Sequence, residues 1–273
     1  MDILKYPRTR HLEGSRLQAG DLADDKPLKE LAGIPLVVEE KLDGANCGIS
    51  FDRDGGLLLQ SRGHYLTGGA RERHFGLFKT WASVLAPRLH QRLSSRFVMY
   101  GEWMLAKHTQ FYDALPHYFM EFDVFDREAG VFLSTEARRA LLRGLPIMPV
   151  PVLHLGALQS VKQIERFITP SLYRTATWQD ALERAARASG SRLEMVEKQT
   201  ENSDLAEGLY VKLERDGVVA ERYKYVRAGF KQAIDASEGH WLDRPILENG
   251  LADGVDIFAQ TLGLPGAYDG EEV

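Results

Sequence analysis

With a single cysteine, Cys47, the 273-residue chain can close no internal disulfide and build no cysteine-rich zinc site. No apolar run approaches the roughly 20 residues that a bilayer-crossing helix needs. The opening stretch, MDILKYPRTRHLEGS, lacks the apolar core of a signal peptide. Together these absences predict a reducing, cytoplasmic setting and no membrane. Internal repeats, low-complexity tracts, a clear linker and a GxxxxGK[ST] phosphate loop are missing as well. An excess of positive charge is also lacking, for the net charge is −5. That charge is uneven: residues 228–273 hold nine acids and two bases, which leaves the rest of the chain at +2. A body so near neutrality can still present a local basic groove, so global charge does not decide whether nucleic acid binds.

What is present is an ordinary soluble balance, 44% hydrophobic and 27% charged, long enough for one large domain with a small appendix. The chain is organised around LVVEEKLDGANCGISF, residues 36–51. Two β-rich apolar runs flank the polar link Glu40-Lys41-Leu42-Asp43-Gly44-Ala45-Asn46. A hairpin turn explains the glycine and asparagine, which tolerate positive φ. It does not explain a lysine at the mouth of a buried strand, because burial disfavours the ammonium. Such a lysine can lose its proton and act as a nucleophile.

The remaining periodicities read as mixed α and β. A hairpin turn falls at residues 51–57, and strands are expected at RFVMYGEW (96–103) and YFMEFDVF (118–125). Phe75, Phe78, Trp81, Val84 and Leu85 recur at helical spacing and predict a helix over 72–86. A short helix is expected at 26–31. Ser134 and Glu136 start another, stopped by Gly144 and Pro146, and further helical segments fall near 160–168 and 178–188. A last hairpin joins 206–213 to 218–226. Phe230, Ile234, Trp241 and Leu242 predict a helical tail, frayed beyond Pro265.

Five polar clusters are expected at strand ends: Glu40-Lys41, Ser61-Arg62, Gly101-Glu102, Glu207-Gly208 and Arg222-Tyr223-Lys224. Gathered around one pocket, these bases and carboxylates suit a phosphorylated ligand with a divalent cation. Neighbouring cations should lower the lysine's pKa. His64, His74, His108 and His117 show no metal-ligand spacing.

In this order the clusters resemble the covalent nucleotidyltransferase superfamily of polynucleotide ligases and messenger-RNA capping enzymes. Lys41-Leu42-Asp43-Gly44, Ser61-Arg62-Gly63, Tyr100-Gly101-Glu102-Trp103, Phe119-Met120-Glu121-Phe122-Asp123-Val124, Glu207-Gly208-Leu209-Tyr210-Val211-Lys212 and Arg222-Tyr223-Lys224 match its successive motifs. Through Glu40-Lys41 and Asn46 the chain is most similar to ATP-dependent RNA ligases of the phage nick-sealing type. The resemblance implies an α+β nucleotidyltransferase fold of antiparallel sheets flanked by helices, spanning 1–227. A short helical C-terminal extension would cover 228–273.

By the same resemblance Lys41 would carry AMP as a phosphoramidate. Glu40 and Lys212 would read the adenine edge, Phe122 would stack on the base, and Glu102 would hold the ribose. Asn46 and Arg62 would order the phosphates and the nucleic-acid end. Glu207 would position magnesium, with manganese as an alternative, and Arg222 with Lys224 would neutralise phosphate charge. Arg222 stands where the family usually has lysine, and it keeps the charge while adding a phosphate-matching fork. The implied substrates are ATP and RNA bearing 5′-phosphate and 3′-hydroxyl ends. A separate end-healing kinase or phosphatase is implied too, because the chain lacks a phosphate loop of its own. A DNA ligase, a capping-type enzyme and a non-catalytic RNA-end-binding module are the alternatives. The 46 residues after 227 are too few for the β-barrel appendage of typical DNA ligases.

Overall fold

A computed structural model describes residues 2–17, 25–230 and 246–270. In chain order the elements are β1 (Arg10–Leu12), β2 (Asp25–Lys26), β3 (Pro35–Lys41), β4 (Ala45–Phe51), β5 (Leu57–Ser61) and α1 (Gly76–Leu93). There follow β6 (Phe97–Trp103), β7 (Phe119–Asp126), β8 (Val131–Phe132), α2 (Thr135–Leu142), β9 (Met148–Pro149) and β10 (Val152–Ala157). The last are α3 (Val161–Glu165), α4 (Trp178–Ala188), α5 (Leu193–Lys198), β11 (Gly208–Arg215) and β12 (Val218–Val226). The architecture is α+β. One sheet runs β10-β3-β11-β12-β1-β2, the other β5-β4-β6-β7-β8, with β9 alongside β7. Pairing is antiparallel except at β1–β12, β1–β2 and β7–β9. Among the described residues no helix is long and apolar enough to cross a membrane.

Side-chain alternation assigns the faces of the first sheet. Leu36, Val38, Leu209, Val211, Leu213, Tyr223 and Tyr225 bury against Leu28, Leu158 and Ile164. The intervening residues, Glu39, Lys41, Tyr210, Lys212, Arg222 and Lys224, lie on the opposite face. There the second sheet approaches, and Lys212 and Arg222 both reach Asp123 of β7. The far face of the second sheet carries the main core, in which Ile49, Met99 and Val124 pack with Phe78, Trp81 and Leu89 of α1.

Helix α1 is longer than its spacing suggested. A 3-10 turn occupies Ala70–Phe75, and the α-helix continues past Pro87 because Leu89 and Leu93 bury fully in the same core. Likewise, the short helix expected at 26–31 is a 3-10 turn at Leu28–Glu30. Ser134 caps α2 as expected, its Oγ accepting from Ala137 N at 3.2 Å.

The C-terminal expectation needs correction over residues 246–270. Ile234, Trp241 and Leu242 lie outside the described residues, and 246–270 contain no helix. That segment is knitted into the body instead. Asn249 donates to Met104 O at 2.7 Å and accepts from Tyr112 N at 2.9 Å. Nor are residues 266–270 frayed, since Ala267 and Tyr268 are buried in the main core.

His117 ties this tail to β7. Its Nδ1 accepts from Phe119 N at 2.8 Å, which leaves Nε2 to donate to Ile257 O at 3.3 Å. Burial pushes its pKa down to about 4, against about 6.5 when unfolded. Between those values the unfolded chain binds the extra proton, so stability present above pH 6.5 is lost as pH falls toward 4. The shift corresponds to about 3 kcal/mol. Chemical denaturation at pH 7.5 and pH 4 should therefore show wild type losing about 3 kcal/mol more than His117→Asn. Equal losses in the two proteins would remove His117 from the acid response.

Candidate active site

Lys41 is the last residue of β3 and pairs in register with Gly208, the first of β11. The link at 42–44 is not a hairpin, because β3 and β4 belong to different sheets. The chain crosses the cleft there, which sets the lysine at the rim of both sheets. Asp43 fixes the crossing: its Oδ2 accepts from Thr109 N and Gln110 N, both at 2.7 Å. The Asp43 N–H donates to Tyr112 OH at 3.0 Å.

Close approach demands glycine at 44 and at 208. A Cβ on Gly44 would lie 2.6 Å from Met104 Sδ and 2.9 Å from both Glu102 Cγ and Trp103 O. On Gly208 it would lie 1.9 Å from Tyr225 O, inside the β11–β12 pair. Backbone cannot yield there as a side chain can, so Gly208→Ala should force β11 and β12 apart. Overpacking of this kind costs about 1–3 kcal/mol or more, and thermal unfolding should register it. An unchanged midpoint would show that the strands can separate without cost.

Lys41 Nζ stands 2.6 Å from Glu207 Oε1. Burial alone would push its pKa down, yet Glu207, Tyr210 and Asp43 outweigh burial and hold it above the usual lysine range. The expectation of a lowered pKa is therefore reversed, because the groups nearest the ammonium are acids rather than bases. Burial likewise raises the neighbouring acids, Glu102 to about 8 and Glu207 to about 7. Glu102 lies across from Asn46 in the β4–β6 ladder. Asn46 Oδ1 and Glu207 Oε2 are buried and find no hydrogen-bond partner among the described residues.

No group of three or more His, Cys, Asp or Glu side chains able to hold a metal exists among the described residues. The unpartnered Glu207 oxygen does fit a hard cation of the magnesium type. Such an ion commonly takes one or two protein carboxylates and completes its shell with substrate phosphates and water.

Deeper between the sheets, Phe122 is the extra residue of a bulge where the β6–β7 register shifts. A bulge re-aims its side chain, and the Phe122 ring lies nearly parallel to Tyr210, centroids 6.3 Å apart at 17°. Lys212 Nζ donates to Phe122 O at 2.6 Å and pairs with Glu39 at 2.8 Å and Asp123 at 3.2 Å. Arg138 bridges the sheets, binding Glu39 at 2.7 Å and Glu121 at 2.9 Å. Tyr268 donates to Glu121 at 2.6 Å. Burial would raise the pKa of Asp123, but Lys212, Arg222 and Arg138 hold it below the usual carboxylate range.

Of the expected site residues, Lys41, Asn46, Glu102 and Glu207 gather at the rim, and Phe122 and Lys212 lie deeper. Lys224 shares their face, opposite Tyr210, and its charge acts on Glu207. Arg62 is exposed just past β5, with its charge felt at Tyr210. Glu40 is not brought to this face. Its oxygens accept from Ser171 Oγ at 2.5 Å and Leu172 N at 3.4 Å on the other side of the sheet. Arg222 and Lys224 sit within β12 rather than at its end. Sequence reasoning gave no role to Glu39, Asp43, Asp123, Arg138 or Tyr210. Alternation could have found two of them, since Glu39 shares the face of Lys41 and Tyr210 that of Lys212.

The family model described as RNA ligase matches residues 34–226. No curated protein matches the chain. Among solved structures, a Naegleria gruberi RNA ligase variant with ATP and Mn is 17% identical with a TM-score of 0.46, covering 81% of this chain and 60% of its own. The Naegleria ligase with pyrophosphate is 16% identical with a TM-score of 0.47, the coverages being 83% and 61%. An archaeal ATP-dependent RNA ligase is 17% identical with a TM-score of 0.48, and the match covers 82% of this chain and 48% of that one. The chain thus spans between about half and three fifths of the structures it is similar to.

Proposed function

The chain belongs to the RNA ligase family, and from that premise we propose that it is an ATP-dependent RNA ligase working through a lysyl-AMP intermediate. The observation that carries this reading is Lys41, half-buried at the rim of both sheets and paired with Glu207. In the first step the neutral Lys41 Nζ attacks the α-phosphorus of ATP, forming an N–P bond as the bond to pyrophosphate breaks. AMP then passes to the 5′-phosphate oxygen of an RNA end, which restores the free lysine. Attack by the neighbouring 3′-hydroxyl closes the phosphodiester and expels AMP.

The chain's own residues position these reactants, which is most of what phosphoryl-transfer catalysis requires. Glu102, with its raised pKa, suits a ribose hydroxyl, and Asn46, Lys224 and Arg62 suit phosphates and the RNA end. A magnesium or manganese ion held at Glu207 would offset phosphate charge. Ammonium must give up its proton before it can attack, so neutralising Glu207 favours the reactive form. An end-healing kinase or phosphatase acting beforehand, and a cytoplasmic site of action, belong to the same reading.

ATP and GTP labelled at the α-phosphate provide the test. An acid-labile, alkali-stable adduct of about one AMP per chain, formed from ATP and not GTP, is the expected result. Labelling by GTP would favour a capping-type enzyme, and no adduct would favour a non-catalytic RNA-end-binding module. Nicked duplex and single-stranded substrates, in RNA and in DNA, then separate a nick-sealing RNA ligase from a DNA ligase.

Phe122 is assigned to base stacking because its bulge turns the ring toward Tyr210. Leucine restores most of its volume without a flat face. Stacking is worth roughly 1–3 kcal/mol, so Phe122→Leu should need on the order of ten-fold more ATP while unfolding close to the wild-type temperature. An unchanged ATP requirement in a folded variant would leave Phe122 as core packing.

A further inference from the structure

The N-terminal arm crosses from one sheet to the other. Arg10 and His11 pair in parallel with β12 in the first sheet. Residues 2–6 lie along the second sheet. Leu4 O accepts from Gln60 Nε2 at 2.8 Å and Tyr100 OH at 2.7 Å, and Asp2 O accepts from Tyr65 OH at 3.4 Å. This strap places the Tyr6 ring between the sheets, where it is 7% exposed.

Tyr6 makes two kinds of contact there. Its ring meets Phe122 edge to face, with centroids 5.1 Å apart. Its hydroxyl donates to Asp123 Oδ2 at 2.6 Å. The other oxygen of that carboxylate holds Lys212, whose Nζ donates to the carbonyl of Phe122. Tyr6 therefore braces both the ring assigned to the base and the lysine behind it. Arg222 belongs to the same assembly rather than to the phosphate end. Its guanidinium lies 3.5 Å from the Phe132 ring centroid, 5.1 Å from that of Tyr6, and 3.4 Å from Asp123.

We propose that Tyr6 is a positioning residue for the base subsite, acting through Asp123–Lys212 and the Phe122 ring, and that the N-terminal arm is thereby part of the nucleotide site. The inference rests on the ligase reading above. It assigns Arg222 to the same support, in place of the phosphate role implied by resemblance. A tyrosine that only filled the core would have no use for a hydroxyl aimed at a buried carboxylate, since phenylalanine fills the same space.

The test is the ATP dependence of enzyme–AMP formation in wild type, Tyr6→Phe and Tyr6→Ala, with unfolding midpoints measured alongside. Tyr6→Phe keeps the ring and removes one hydrogen bond to a charged acceptor. It should raise the half-saturating ATP concentration by about ten-fold and leave the rate at saturation within about two-fold. Tyr6→Ala should raise it further, and if that variant fails to fold, Tyr6→Phe alone decides. A half-saturating concentration equal to that of wild type, or a loss confined to the saturated rate, overturns the inference and leaves the ligase reading intact. A wild-type chain that forms no adduct overturns that reading and the inference with it.

Discussion

Lys41→Ala should form no detectable enzyme–AMP species under conditions in which wild type is labelled to about one AMP per chain. Two other lysines share this face of the sheet: Lys212 is held by Glu39 and Asp123 and donates to Phe122 O, and Lys224 stands on β12 opposite Tyr210. Loss of label must be separated from loss of fold, because removing one partner of a buried ion pair costs about 3–5 kcal/mol when the other stays charged. That cost is moderated here, since Glu207, with a pKa raised to about 7, can take up a proton instead. Lys41→Met keeps the aliphatic stem and serves as the second variant. Both should lose the adduct, and both should still seal an RNA whose 5′ end already carries AMP, because that step needs no lysine nucleophile. A variant that labels like wild type would place the nucleophile elsewhere. One that loses sealing of the pre-adenylylated end along with the label would point to a damaged fold.

Much of this site could be read from the sequence, because its residues sit where short patterns are informative. The apolar run before Lys41 and the Gly-Glu and Glu-Gly pairs mark the ends of β3, β6 and β11, and the structure brings all three ends to one rim. Helix α4 appears over Trp178–Ala188, the range its spacing indicates. Strands β1 and β10 escaped notice because one is three residues long and the other is mostly half-buried on both faces, so neither shows a period. Over residues 246–270 the helical reading of the tail failed for a related reason. Residues 246–270 are held by single bridges and by contacts such as Asn249 to Met104, which leave no repeat in the sequence. Charge was harder still. The sequence offers bases and acids in one pocket, but only the fold says which stands beside Lys41, and the partner at 2.6 Å is an acid. Parity was available and went unused: Glu40 and Lys41 are consecutive, which places them on opposite faces of the sheet.

Glu207→Gln should depress adenylylation by on the order of 10²-fold or more, and the sign of its effect separates two roles. In the free protein Glu207 holds Lys41 as the ammonium, which cannot attack phosphorus. If that were its whole contribution, removing its charge would leave burial to lower the lysine's pKa, and adenylylation near pH 7 would speed up. If its charge is needed to hold a cation against the phosphates of ATP, the amide cannot replace it and the reaction slows. The unpartnered Oε2 favours the second role, since one oxygen engages Lys41 and the other is left for a ligand. Folding should be little changed. Glutamine has the same shape, and its carbonyl can still accept from Lys41. Initial rates of enzyme–AMP formation across a magnesium titration, with unfolding midpoints for both proteins, make the comparison. A folded variant as fast as wild type at every magnesium concentration, or faster, would reduce Glu207 to the lysine's anchor and move the cation to another group.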